Sequence, residues 1–132
     1  MNKSVVLGQL KQSDVINDVE EIEYKPEFLV VRFFYKFDED ELEAARDYAD
    51  SETDGKVDEK SWYDDFYIPY LTDISVDEVR DTIEDMVEEL NLAAEYISYE
   101  PERDDTAIEL IAVFTDDGRE FDIDQVLDSI SI

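Results

Sequence analysis

Glu27-Phe28-Leu29-Val30-Val31-Arg32-Phe33-Phe34-Tyr35-Lys36-Phe37 is the densest apolar and aromatic run in the chain. Its β-branched and aromatic residues favour a strand, and its length suits one. Phe28, Val30 and Phe34 fall on one parity; Leu29, Val31, Phe33, Tyr35 and Phe37 fall on the other. A strand apolar on both parities is expected at the centre of a sheet, covered on both faces.

The neighbouring sequence builds outward from this strand. Residues 20–24 alternate polar and apolar, and Lys25-Pro26 turns the chain, which predicts a hairpin. Residues 4–10 are read as a short helix or an arm, with Ser13 capping a brief turn before Val15, Ile16 and Val19. Asp38 or Asp40 is placed to cap a helix running to about Tyr48, with Leu42 and Ala45 inward. Residues 50–60 read as a polar loop. Trp62, Tyr63, Phe66 and Tyr67 suggest a short aromatic helix ended near Ile68 by Pro69. The strongest helical period covers residues 75–91, with Ser75 and Glu78 spaced as a capping box. There Val76, Val79, Ile83, Met86, Val87 and Leu90 share one face. Residues 93–100 and 106–115 read as a second hairpin, and Asp122 as the cap of a last short helix. The expected fold is a single α+β domain: two antiparallel hairpins in one sheet, packed by three to four helices.

Composition narrows the function classes. The 132 residues carry 11 Lys and Arg against 39 Asp and Glu, a formal net charge of −28. Residues 1–37 hold five of those bases and six of the acids, so residues 38–132 carry a net −27. Hydrophobic content of 43% is too high for an acidic disordered tail. A surface of this sign disfavours direct binding of nucleic acid or anionic membrane, and cationic protein partners are expected. There is no cysteine and no histidine. Disulfides, thiolate chemistry, and Ser/His or Cys/His nucleophile systems are therefore excluded, and a non-catalytic protein is expected. Residues 1–10 lack the apolar core of a signal peptide, and no run is long enough to span a membrane, so a cytoplasmic location is expected.

Two stretches are candidate sites. In the first, Asp77, Glu78, Asp81, Glu84, Asp85, Glu88 and Glu89 share the outer face of the strongest helix, with Arg80 as its one cation. Asp77/Asp81, Asp81/Asp85, Glu84/Glu88 and Asp85/Glu89 are like-charge pairs at i,i+4, each costing about 0.2–0.5 kcal/mol. At a rise of about 1.5 Å per residue the seven acids span about 18 Å. One charge per roughly 3 Å is close to the ~3.4 Å per phosphate of one DNA strand. Asp77, Asp81, Glu84, Asp85, Glu88 and Glu89 are accordingly read as a partner-binding surface. They would act as a DNA mimic, inhibiting a nucleic-acid-binding protein by filling its cationic site.

In the second, Asp50, Glu52, Asp54 and Asp58 surround Gly55 in a pattern that resembles an EF-hand calcium loop. Oxygen ligands stand at its first, third, fifth and ninth positions and glycine at its sixth. The resemblance implies Ca²⁺, although Ser61 stands where the family has its bidentate glutamate. As an alternative function, the order of elements looks loosely like the secretion-chaperone class. That resemblance implies a small chaperone or immunity protein that binds through an apolar groove and forms a homodimer.

Overall fold

The computed structural model describes residues 1–130. Helix α1 (Lys3–Gln12) precedes a hairpin of β1 (Asn17–Ile22) and β2 (Leu29–Lys36). A helical layer follows: α2 (Glu39–Thr53), a short α3 (Glu59–Ser61), a π-helical segment (Trp62–Tyr67) and α4 (Ile68–Leu90). The hairpin of β3 (Leu92–Ser98) and β4 (Ala107–Asp116) returns the chain to the sheet, and α5 (Ile123–Ser129) closes it. The expected α+β architecture is present as one antiparallel sheet in the order β1-β2-β4-β3. The two hairpins join along their second strands, in a register running from Leu29↔Phe114 to Lys36↔Ala107.

The odd parity of β2 makes the main core. Leu29, Val31, Phe33 and Tyr35 meet Ile108, Leu110, Ala112 and Phe114 of β4 beneath the helical layer. That layer contributes Val6 and Leu10 of α1, Leu42, Ala45 and Ala49 of α2, and Leu71, Val79, Ile83 and Met86 of α4. The even parity is covered only in part. Phe28 and Val30 pack with Ile111, Val113 and Val126 of α5, but Arg32 and Phe34 are half-buried and Lys36 is exposed. The expectation of cover on both faces thus holds for only the first half of β2. The cause is length: seven residues of helix extend about 10 Å, too short to shield the whole strand.

Local signals hold where the cap is local. Asp38 and Glu41 form a reciprocal capping box on α2, and Asp122 accepts from the Asp124 amide at the start of α5. Three sequence expectations are corrected. Helix α2 does not stop near Tyr48; Ala49 and Thr53 continue its buried stripe, so the helix runs five residues further. Pro69 does not end the aromatic helix. The i→i−5 bond from Ile68 N–H to the Tyr63 carbonyl marks a π turn immediately before the proline. That wider turn relieves the crowding between a proline ring and the carbonyl four residues back, and the helix continues. Ser75 is therefore not a cap. It is fully buried inside α4, and its hydroxyl donates to the Thr72 carbonyl at 2.8 Å.

Candidate anionic interaction surface

The acidic stripe follows from the period of α4. At about 100° per residue, Asp77 to Glu89 fall within an arc of about 140°, opposite Ser75, Val79, Ile83 and Met86. Those four are buried, and Asp77, Glu78, Asp81, Glu84, Asp85, Glu88 and Glu89 are all exposed. The six residues singled out in the sequence therefore lie together on one solvent-facing surface. Arg80 donates to Asp77 at 2.8 Å. Among the described residues, no other acid of the stripe is in an ion pair. The last turn of α4 contains no base, so Glu88 and Glu89 oppose the helix dipole.

The stripe borders the sheet edge formed by β3. Burial raises the pKa of the Tyr96 hydroxyl; Arg80 opposes the rise, and Glu84, Asp77 and Asp81 add to it. These charges thus act on the inward side of β3. On the outward side, Tyr99 follows the strand, and its hydroxyl is also shifted upward by burial and by Glu109. Tyr99, Phe34, Glu100, Glu102 and Glu109 help to line an open cleft of about 480 Å³.

Like-charge strain on α4 has a measurable sign. Asp85→Lys turns the Asp81/Asp85 and Asp85/Glu89 repulsions into attractions. It should stabilise the protein by about 1 kcal/mol, read as a higher urea midpoint with an unchanged slope.

The four residues of the calcium-like pattern are placed differently. Asp50 and Glu52 belong to the last turns of α2, and Asp54 is its left-handed C-cap, with φ of 50°. Asp50 accepts from the Trp62 indole N–H at 2.9 Å. Asp58 caps α3 by accepting from the Ser61 amide at 2.8 Å, and that backbone hydrogen bond lowers its pKa. All four carboxylates are exposed. Among the described residues, no group of three or more metal-ligating side chains converges on one point. The pattern is therefore divided between a helix end and a helix start instead of forming a loop. Asp54→Gly should stabilise by about 0.5–1 kcal/mol, because it removes both a left-handed side chain and a negative charge at a helix C-terminus. Millimolar Ca²⁺ should leave the melting temperature of either form equal to that in EDTA or Mg²⁺.

The aromatic residues of the π-helical segment pack against the main core. Tyr67 is buried, and Trp62, Tyr63, Phe66 and Tyr70 pack against the main core. Trp62 stacks on Tyr67 with centroids 5.2 Å apart, and Tyr48 stacks on Tyr70 at 5.0 Å.

The two edges of the sheet differ, which the sequence pattern did not reveal. Strand β1 is interrupted between Asn17 and Glu20, where its register shifts and Asp18 takes a φ of 55°. It also carries Asp18, Glu20 and Glu21. Strand β3 pairs without interruption from Leu92↔Asp116 to Ser98↔Leu110. The signal in the sequence was the absence of lysine, proline and glycine from Leu92 to Ser98. No helix among the described residues is long and apolar enough to cross a membrane. The chain matches no family model, no curated protein and no solved structure.

Proposed function

We propose that this is a non-catalytic interaction protein whose α4 stripe occupies the cationic site of a nucleic-acid-binding protein. The observation that carries this reading is a set of seven exposed carboxylates on the face of α4 opposite its core, six of them unpaired among the described residues. A solvated helix needs no such arrangement, since lysines at alternate positions would relieve its repulsion. The spacing of roughly one charge per 3 Å supports phosphate mimicry. Steering by a net charge of −28 supports rapid encounter with a basic surface. The absence of histidine and cysteine supports a role without nucleophilic catalysis.

The test is capture of partners from a lysate on the immobilised protein, eluted first with duplex DNA and then with a salt gradient. A DNA- or RNA-handling protein released by DNA or by moderate salt is the expected result, because the contact is electrostatic. A partner that resists both and leaves only in denaturant would overturn the reading in favour of an apolar chaperone or immunity contact.

A further inference from the structure

We propose that the free edge of β3 takes up an extended, lysine- or arginine-bearing segment of a partner protein as a fifth strand. The proposal shares the expectation of a cationic partner, but it concerns backbone pairing at the sheet edge, not the α4 stripe.

The register determines which groups are free. The Tyr99 amide donates to the Glu109 carbonyl, so Ile97 and Glu95, two and four residues earlier, also direct their amides and carbonyls at β4. Ala94, Tyr96 and Ser98 direct theirs away from the sheet. Among the described residues no hydrogen bond from another element reaches those three backbones. An edge of this kind is a ready template for strand addition unless the protein blunts it. Strand β1 is blunted by its bulge and its charges. Strand β3 has neither bulge nor proline, and the carboxylate of Glu95, its one charged residue, accepts from the Ile123 amide at the start of α5.

Charge selects the occupant. On the inward side of the edge Arg80 is the strongest single charge, but it is paired with Asp77 and outnumbered by Glu84, Asp77 and Asp81, so that side is net acidic. Glu100, Glu102 and Glu109 line the cleft beside Tyr99 on the outward side. A second copy of the chain would bring another net −28 to this edge, and like charges are costly across an interface. A basic segment meets carboxylates on both sides. Its outward side chains can lay their methylene stems against Tyr99, which follows β3, with the charged ends towards Glu100 and Glu102. In strand addition, backbone bonds supply affinity and alternate side-chain pockets supply specificity.

The probe is a synthetic peptide of alternating lysine and valine. It is compared with a glutamate–valine peptide and with a lysine–valine peptide N-methylated on the amides of one edge. Calorimetry gives affinity, and amide exchange followed by NMR gives location. Binding of the lysine–valine peptide is expected, with at least tenfold slower exchange at Ala94, Tyr96 and Ser98. N-methylation should weaken binding at least tenfold, and the glutamate–valine peptide should not bind. Ser98→Pro removes an outward amide without breaking the ladder to β4; it should also weaken binding at least tenfold. Absence of binding, equal binding of the N-methylated peptide, or protection confined to other residues would overturn the proposal. So would self-association in sedimentation with these three amides already protected, which would make a second copy the occupant. Loss of DNA-competed capture while peptide addition persists would overturn the α4 reading alone, and the converse result would overturn the edge alone.

Discussion

Phe33→Ala is expected to destabilise the protein by about 3–5 kcal/mol, because a fully buried aromatic ring leaves a cavity that packed neighbours fill only partly. Phe33 lies opposite Leu110 in the middle of the β2/β4 ladder, with its ring in the main core. A domain of this size has a total stability of roughly 5–15 kcal/mol, so the loss is a large share of it. The melting temperature should fall by about 10–20 °C. Phe34→Ala is the control that gives the experiment its meaning. Phe34 is the next residue, on the opposite parity, half-buried at the open cleft beyond the reach of α5. Its removal should cost about 1 kcal/mol, since water already reaches one side of the ring. Equal losses at the two positions would show that the faces of β2 have been assigned wrongly. Urea unfolding of both variants decides the matter, provided that the slopes agree.

Glu84→Lys together with Glu88→Lys should abolish DNA-competed capture, with a loss of at least tenfold in affinity, about 1.4 kcal/mol. The two substitutions reverse neighbouring charges in the C-terminal half of the α4 stripe, where both carboxylates are exposed and, among the described residues, unpaired. Folding should survive the change. A lysine at position 84 gains Asp81 at i,i−3, and one at position 88 gains Asp85 in the same way. Against these, the two introduced lysines repel each other at i,i+4, and Arg80 repels the first of them. These small terms nearly cancel, and a cation at position 88 is favoured by the helix dipole. The melting temperature should therefore stay within a few degrees of the parent, so a loss of capture cannot be blamed on unfolding. Retained capture by this variant, still displaced by duplex DNA, would remove α4 from the contact.

The sequence was most legible where residues near one another decide the outcome. Alternation in residues 20–24 reveals a strand, although β1 itself begins three residues earlier at Asn17, residues 93–100 read as another, and Asp38 and Asp122 reveal helix starts, because each involves a few consecutive side chains. The acidic face of α4 was equally legible, since helical period alone sets it opposite Val79 and Ile83. Legibility failed where a distant contact overrode a local preference. Acids at 50, 52 and 54 look like a loop, yet Ala49 and Thr53 are buried, and that burial extends α2. Pro69 and Ser75 carry ordinary stop and start signals, but the π turn before Pro69 and the core around Ser75 merge both into one helix. The lack of lysine, proline and glycine in residues 92–98 marks β3 as unblunted, but its place at the edge depends on strand order, which joins residues far apart in the chain.

The pairing of β2 with β4 has a consequence for how the protein is made. Leu29 must wait for Phe114, and every pair of that ladder spans a long stretch of intervening chain. At about 5–20 residues per second, a ribosome needs roughly 4–17 s to supply the missing strand. During that time the most aggregation-prone segment of the nascent chain hangs beside the growing acidic helices with one side unsatisfied. The carboxylates that follow it, synthesised before its partner strand, give the unfinished chain a mutual repulsion that keeps neighbouring copies on a polysome apart. The repulsion among these carboxylates is thus in place before the β2/β4 ladder can close.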